Sequence, residues 1–146
     1  MVKRLFDIIF SALALLILAP ILIPVMLILR FSGEGEIFYR QERMGLKNRP
    51  FYITKFATML KNSPNMGTGE YTLQNDPRVL PMGTFLRQSK INEFPQFWDI
   101  FIGNMSFVGP RPQMIKVHAS YPENYADVLA VVKPGLTGVG SIIFRD

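Results

Sequence analysis

The residue types best suited to phosphate chemistry are concentrated between residues 75 and 112. Arg111 stands between two prolines in Pro110-Arg111-Pro112. Proline restricts its own φ and biases the residue before it toward extended geometry. The segment therefore presents one guanidinium group from a stiff backbone, and this planar, permanently charged fork suits a phosphate group. A surface arginine in an ordinary loop is the alternative interpretation.

Further polar residues precede this segment. Arg87 comes one to two helical turns before the pair Asn92-Glu93, and Pro95 follows the pair. Arg78, in Asp76-Pro77-Arg78, either contacts a phosphate or pairs with Asp76 inside a structural turn. Together these arginines favour a phosphorylated ligand over a solvated surface.

Short elements must position these residues. Gly83 precedes a predicted helix that begins at Thr84 and stops around Pro95, and a second predicted helix runs over 96–102. The remaining predicted elements are a β-hairpin with strands over 37–41 and 51–56, a polar loop over 58–73, a helix over 125–132 and a strand over 141–146. The sequence thus predicts an α+β fold with a small, mostly helical domain and a short hairpin.

Composition excludes several classes of chemistry. The chain has 146 residues, no cysteine and one histidine, which excludes disulfides, thiolate nucleophiles and a site built on several histidines. Its net charge is +5, which beside an apolar segment suggests anionic lipids or a phosphorylated substrate. No recognition-helix, zinc or RNA-binding pattern is present, so we expect no nucleic acid partner.

An apolar segment from Leu5 to Leu29 is interrupted only by Asp7 and Ser11. As one helix it would be about 37 Å long, enough to cross a hydrocarbon core of about 30 Å. Pro20 and Pro24 lie inside it, and each removes a helical hydrogen bond. Ser11 is a candidate partner for the carbonyl groups that the prolines free.

Basic residues flank this segment on both sides: Lys3 and Arg4 before it, and Arg30, Arg40, Arg43, Lys47 and Arg49 after it. By the positive-inside rule both ends prefer the cytoplasmic side. A proline-broken, re-entrant helix satisfies that preference, and a single transmembrane anchor is the alternative. We therefore predict a re-entrant membrane helix over residues 1–31 and a cytoplasmic catalytic domain over 32–146.

Six sequence runs resemble those of one family. They are IFYRQERMG (37–45), KFATM (55–59), DPRV (76–79), FLRQSKINEFPQ (85–96), GNMSFVGPRP (103–112) and KPGLTG (133–138). In order and spacing they resemble the bacterial sugar transferases, and more narrowly the monotopic polyprenyl-phosphate phosphoglycosyl transferases. The resemblance extends from Lys3 to the last residue.

This resemblance implies a membrane enzyme that transfers a phosphosugar from a UDP-sugar to undecaprenyl phosphate. The reaction would initiate a bacterial surface glycan, such as O-antigen, capsule, exopolysaccharide or glycoprotein glycan. It implies the bacterial inner membrane with the catalytic domain on the cytoplasmic face, and membrane lipids and downstream glycosyltransferases as partners. In the resembling family the membrane helix is re-entrant and broken at a proline.

The resemblance also assigns site residues. The family site has an Asp-Glu pair, in which the aspartate forms a covalent phosphosugar intermediate and the glutamate holds Mg²⁺. Glu93 matches the Mg²⁺-binding glutamate. Arg87 and Arg111 match basic positions expected to meet phosphate or sugar, and Arg78 and Arg145 are further candidates.

Asn92 stands where the family has its nucleophilic aspartate, and a neutral amide cannot form an acyl phosphate. Three interpretations remain open. Asn92 is an inactivating substitution, or it marks a natural variant in which Glu93 or direct attack by the lipid phosphate takes over, or the protein is a pseudoenzyme. In the last case the alternative function is a membrane-bound scaffold or lipid-phosphate-binding module.

The family's small members also continue past the position that matches Asp146. We therefore expect either a truncated chain or a reduced natural form.

Overall fold

The computed structural model describes residues 1–138. The elements are α1 (Val2–Arg30), β1 (Phe38–Met44), β2 (Pro50–Phe56), α2 (Gly83–Gln88), α3 (Gln96–Ile102), β3 (Ser106–Val108), α4 (Ile115–Ala119), α5 (Glu123–Ala130) and β4 (Gly135–Thr137). Strands β1 and β2 form one two-stranded sheet, and β3 pairs parallel with β4 in another. The predicted α+β class is confirmed, with a long apolar N-terminal helix and small sheets.

The chain forms two compact units. The first unit contains Met1–Leu16, Arg40–Ile53 and the chain from Gln96 onward, and the second contains Ile17–Tyr39 and Thr54–Pro95. Helix α1 and both strands of the β1–β2 sheet therefore contribute residues to each unit. The division into a membrane helix (1–31) and a catalytic domain (32–146) stays a prediction.

The second unit has its core where helix α1 ends. Val25 and Leu29, one helical turn apart, pack with Phe56 and Leu86. Helix α2 begins so close to the preceding loop that a Cβ on Gly83 would collide with the carbonyl oxygen of Thr58. Glycine at this position therefore fixes the start of α2, the helix that carries Arg87.

The first unit has its core beneath β3. Ile53, Ile100 and Met105 are buried together, and β3 pairs with β4 in the register Ser106↔Gly135 and Val108↔Thr137. Gly109 and Gly135 lie so close together beside this pairing that neither position has room for a side chain. A Cβ on Gly135, for example, would collide with the backbone nitrogen of Gly109. Strand β3 leads directly into the Pro110-Arg111-Pro112 segment.

Helix α1 is continuous from Val2 to Arg30, with Pro20 and Pro24 inside it. By length and composition it is long and apolar enough to cross a membrane, and only 11% of its most apolar stretch is buried. Four residues of α1 are buried: Asp7, Ser11, Val25 and Leu29. They lie on one face of the helix, because residues four apart are about one turn apart and residues 18 apart are about five turns apart. The apolar side chains of the opposite face are exposed. The break at the prolines and the re-entrant course stay predictions.

Ser11 has a different partner from the one predicted. Its hydroxyl donates to the carbonyl oxygen of Asp7 at 2.5 Å and to that of Ile8 at 3.2 Å. The prolines free carbonyl groups four residues before themselves, well beyond this turn. The prediction that Ser11 satisfies them is therefore wrong, because the hydroxyl is bound within its own turn.

Several predicted elements are confirmed. Helix α3 has the predicted bounds, and the two hairpin strands are present at 38–44 and 50–56. Helix α5 begins and ends two residues earlier than predicted. The predicted strand over 141–146 lies outside the described residues.

One predicted helix is wrong in its second half. Helix α2 ends at Gln88 and does not continue to Pro95. Lys90 adopts left-handed backbone geometry with φ 63°, and a 3-10 turn over Ile91–Glu93 follows. A left-handed residue cannot continue a right-handed helix, so Asn92 and Glu93 lie in a turn.

Candidate functional site

The Asn92-Glu93 pair lies in the tight turn between α2 and α3. Positive φ at a residue such as Lys90 is uncommon and marks a constrained backbone. The side chain of Asn92 is buried, with 9% of the residue exposed. Its Oδ1 atom has no hydrogen-bond partner within residues 1–138. A buried oxygen without a partner destabilises the fold, so such an atom indicates a position where a ligand or solvent completes the bonding.

Glu93 faces a lysine of the hairpin. The Nζ atom of Lys55, on β2, lies 3.4 Å from Oε1 of Glu93, and the two side chains are 20% and 32% exposed. This partly exposed ion pair places a cation beside the carboxylate that the resemblance assigns to metal binding. Both groups are accessible to a charged ligand.

The residues around Glu93 fit a magnesium ion that takes few of its ligands from the protein. Over residues 1–138, no group of three or more His, Asp or Glu side chains is placed to hold a metal ion. Magnesium is commonly bound by one or two carboxylates together with water and substrate phosphates. Glu93, with the unpaired oxygen of Asn92 next to it in the chain, would supply that reduced set of protein ligands.

Arg87 lies on α2 in the same unit. Its guanidinium group donates to the hydroxyl of Thr72 at 3.0 Å and, through its other terminal nitrogen, to that of Thr58 at 3.4 Å. Both of these acceptors are neutral hydroxyl groups, so neither of them neutralises the charge of Arg87. The side chain is partly exposed, so its charge is available to an anion.

Arg78 is held very differently. Only 4% of it is exposed, and it forms a bidentate pair with Asp76, with Nε at 2.9 Å from Oδ1 and Nη2 at 2.6 Å from Oδ2. Its terminal nitrogens also donate at 2.7–2.9 Å to five acceptors of the preceding loop: the carbonyl oxygens of Ser63, Met66, Gly69 and Tyr71 and the hydroxyl of Thr68. Each guanidinium nitrogen therefore has a protein acceptor.

The contact between Asp76 and Arg78 also shifts the pKa values of both side chains. The hydrogen bonds from Arg78 hold the pKa of Asp76 well below its ordinary value of 3.8. In return, the hydrogen bond to Asp76 raises the pKa of Arg78. Of the two interpretations that the sequence left open, the structural turn with an internal ion pair is the arrangement observed.

The Pro110-Arg111-Pro112 segment belongs to the first unit and is braced from two sides. Gly135 N donates to the carbonyl oxygen of Pro110 at 2.9 Å. On the other side, Met44 N donates to the carbonyl oxygen of Gln113 at 2.9 Å. The exposed Arg111 lines a small pocket together with apolar residues and one buried histidine: Met44, Gly45, Pro110, Pro112, Gln113, His118, Leu129, Val132 and Pro134. The stiff presentation of Arg111 predicted from the prolines is consistent with this bracing.

The structure thus brings Asn92, Glu93, Arg87 and Arg78 into the second unit and places Arg111 in the first. Arg145 lies outside the described residues. The phosphate-binding roles of these arginines and the metal-binding role of Glu93 stay predictions.

Sequence reasoning did not identify the contact of Lys55 with Glu93, nor the contacts made by three charged residues at the start of α1. The lysine belongs to the run KFATM, and its position on a strand gave no indication that it faces Glu93. Asp7 did give a signal, because an acidic residue inside an apolar segment is costly and usually has a specific partner. Its partners lie about a hundred residues away, and no local pattern identifies them.

Comparison with known proteins gives a consistent result over the whole chain. The sequence model of a family described as "Bacterial sugar transferase" matches residues 1–146. A UDP-glucose:undecaprenyl-phosphate glucose-1-phosphate transferase from Escherichia coli (strain K12) is 36% identical over 97% of the chain. The protein of the same name from Xanthomonas campestris pv. campestris is 36% identical over 93% of it. An exopolysaccharide production protein, ExoY, from Sinorhizobium fredii is 35% identical over 99% of it.

These relatives differ in how much of their own length is matched. The chain spans 31% and 28% of the two glucose-1-phosphate transferases. It spans 70% of ExoY. The shared part is therefore a segment of the larger relatives and most of the smaller one.

Proposed function

This chain belongs to the bacterial sugar transferase family, and from that membership we propose that it transfers a sugar 1-phosphate from a UDP-sugar to undecaprenyl phosphate. The reaction would initiate a bacterial surface glycan at the cytoplasmic face of the inner membrane, ahead of downstream glycosyltransferases. The observation that carries the proposal is the 36% identity over 97% of the chain to a relative named for this reaction. The relatives named for exopolysaccharide production support the role in glycan synthesis.

In the proposed reaction the second unit of the chain binds the diphosphate of the UDP-sugar. Glu93 would hold Mg²⁺, which when bound offsets the charge of the diphosphate. Lys55 and Arg87 supply fixed positive charge for the phosphoryl group, and preorganised charge of this kind lowers the barrier of phosphoryl transfer. Asn92 is neutral, so it orients the group by hydrogen bonding and does not attack it.

Attack then falls to Glu93 or to the lipid phosphate itself. In direct transfer, an oxygen of undecaprenyl phosphate forms the new P–O bond to the β-phosphorus of the UDP-sugar. The bond from that phosphorus to the bridging oxygen breaks, and UMP leaves with the electron pair. The products are UMP and the lipid diphosphosugar, so atoms and charge balance without a covalent enzyme intermediate.

A re-entrant course of helix α1 is supported by the hydrogen bonds at its start. Lys3, Arg4 and Asp7 bind residues between 100 and 108. Among the described residues, α1 is the one helix long and apolar enough to cross a membrane, so residues 31–108 stay on one side. The start of α1 is bound to that same stretch. Both ends of the helix therefore belong on one side, which supports a re-entrant helix over a single span.

The test is phosphosugar transfer from a panel of labelled UDP-sugars to undecaprenyl phosphate with Mg²⁺, for this chain beside Asn92→Asp and Glu93→Gln. Activity of the chain that is lost in Glu93→Gln supports the proposal and requires a nucleophile other than residue 92. Activity in Asn92→Asp alone would identify Asn92 as a disabled nucleophile in an aspartyl-phosphate mechanism. Folded but inactive protein in all three cases would contradict the proposal.

Asn92 also favours a second candidate, a non-catalytic membrane scaffold or lipid-phosphate-binding module. An amide in place of the nucleophile leaves the basic residues and the apolar helix in place, so lipid phosphate could be bound without transfer. The two candidates differ in their ligands, since a scaffold requires neither metal nor nucleotide. Mg²⁺-dependent UDP-sugar binding, measured by calorimetry with EDTA as the control, separates them.

A further inference from the structure

Three charged side chains in the first two turns of α1 all bind the chain between residues 100 and 108. Lys3 Nζ donates to the carbonyl oxygen of Val108 at 2.9 Å. Arg4 donates to two carbonyl oxygens and Asp7 accepts from two donors in the same stretch. The start of an otherwise apolar helix is thus joined to α3 and β3 by five hydrogen bonds, all within the first unit.

Asp7 is the buried member of this group, with 3% exposed. Its Oδ1 atom accepts from the hydroxyl of Ser106 at 3.1 Å and from the backbone N–H of Phe107 at 3.2 Å. Within residues 1–138, strand β3 pairs with β4 on one edge only, and a free strand edge leaves backbone groups to be satisfied elsewhere. The carboxylate of Asp7 satisfies such a group at the middle residue of β3.

Arg4 binds the end of α3. Its terminal nitrogens each lie 2.7 Å from a carbonyl oxygen, one of Ile100 and one of Phe101. The last carbonyl groups of a helix have no intrahelical partner and attract positive charge. Space for this guanidinium depends on Gly103 (φ +101), where a Cβ would lie 3.2 Å from the Nη2 atom of Arg4.

These contacts matter because β3 leads straight into the arginine segment. Phe107 is three residues before Pro110, and the backbone of Gly109 donates to Thr137 at 3.0 Å. A displacement of β3 therefore also moves Arg111, because only two residues separate the end of β3 from Arg111. The start of helix α1 is thus connected to Arg111 through a short backbone segment that hydrogen bonds hold at Phe107, Gly109 and Pro110.

We propose that Asp7 is a positioning residue that fixes the Arg111 segment relative to the membrane-associated helix, so that the phosphate of the lipid acceptor meets Arg111 in a defined place. The role rests on the proposed function, in which that acceptor arrives from the bilayer. A carboxylate in an apolar helix is explained by this role, because its charge is used inside the protein and is not left facing lipid. Ser106 completes the same contact.

The first measurement is backbone hydrogen exchange by mass spectrometry on the full chain in detergent or nanodiscs. Asp7→Ala removes both acceptor bonds, and we expect exchange in residues 106–111 to become about tenfold faster, since a charge-assisted hydrogen bond stabilises by about that factor or more. Exchange in residues 54–95 should not change. Asp127→Ala, which removes an exposed acidic residue of the same unit, is the matched control.

The second measurement is steady-state kinetics with both substrates varied. For Asp7→Ala we expect the KM for undecaprenyl phosphate to rise or kcat to fall, in total by about 10- to 100-fold, because a displacement of about 1 Å costs up to that much. The KM for the UDP-sugar should stay within about twofold. Asp7→Asn keeps an acceptor oxygen and should recover most of the loss, and Ser106→Ala should give an intermediate loss.

The outcomes are distinguishable. Unchanged exchange in residues 106–111 overturns the proposal, as does faster exchange with unchanged kinetics for the lipid acceptor. An equal rise in both KM values would indicate general loss of structure and would also overturn it. If the unmodified chain transfers no phosphosugar, the proposed function fails and the positioning role fails with it, whereas the exchange result still decides whether Asp7 holds β3.

Discussion

Two buried polar clusters of the second unit differ in how completely their hydrogen-bonding groups are paired. Around Arg78, seven hydrogen bonds join one guanidinium group to Asp76 and to the loop over 63–71. At Asn92, a buried oxygen has no partner within the described residues. A fully paired buried network rigidifies a fold, whereas an unpaired buried group destabilises it and persists where function requires it. Arg78 is therefore held by the fold in every direction, whereas the buried amide of Asn92 has a polar atom still to be satisfied and marks the candidate site.

The largest effect should come from breaking the paired cluster. Arg78→Lys removes the planar fork with its two bonds to Asp76 and leaves several loop carbonyl groups without donors, so we expect the melting temperature to fall by about 10 °C or more. Arg87→Lys is the matched control, since Arg87 is partly exposed and donates to the neutral hydroxyls of Thr58 and Thr72. It should lower the melting temperature by about 2 °C or less. Similar losses in both variants would remove the distinction between the clusters.

At the candidate site the order of effects should reverse, with activity lost and stability kept. Glu93→Gln removes the carboxylate assigned to Mg²⁺, and we expect phosphosugar transfer to fall by about 100-fold or more. The ion pair with Lys55 is partly exposed, and such pairs contribute little to stability. Thermal unfolding should therefore shift by no more than about 2 °C. A large drop in melting temperature would instead assign Glu93 to the fold.

Asn92 allows a more selective test of the unpaired oxygen. Asn92→Leu replaces the amide by an apolar side chain of similar size, and we expect the unfolding free energy to stay unchanged or to rise by about 1 kcal/mol. Transfer activity should fall in the same protein. Asn65→Leu is the comparison, because Asn65 is an exposed asparagine whose amide donates to Asn62 at 2.8 Å. Marked destabilisation by Asn92→Leu, measured by denaturant unfolding, would mean that the amide is paired after all.

A smaller effect should appear in acid. Because Arg78 lowers the pKa of Asp76 in the folded protein, the ionised carboxylate stabilises the fold at pH values above its ordinary 3.8. This stabilisation should be lost progressively as the pH falls below about 4, since the unfolded state then binds the proton more readily. In Asp76→Asn the dependence of unfolding on pH between about 2 and 4 should be flatter. A parallel dependence in both proteins would exclude the pair as its source.

The elements that the sequence predicts well are those with a local pattern. The hairpin strands and α3 have periodic apolar residues bounded by turn residues, and both are observed. Strands β3 and β4 are three residues each, too short to show a period. They exist because Gly109 and Gly135 let the chains approach, which is a tertiary condition.

The sequence was sufficient to single out the residues of the candidate site, but it was not sufficient to predict their hydrogen-bond partners. Asn92, Glu93 and Arg87 could be singled out from the sequence, and they belong to one unit. The role of Arg78 could not be decided, because four of its acceptors are backbone carbonyl groups of an irregular loop. Backbone carbonyls are present at every residue, so no sequence pattern indicates which of them will face an arginine.

The contact between Asp7 and Ser106 joins residues 99 positions apart in the chain. At a synthesis rate of about 5–20 residues per second, Asp7 is synthesised about 5–20 s before its partner Ser106. During that interval the carboxylate of Asp7 and the guanidinium of Arg4 lack the partners they have in the finished protein. Helix α1 is therefore synthesised as an unassembled segment, and its contacts with β3 form only after β3 has been translated.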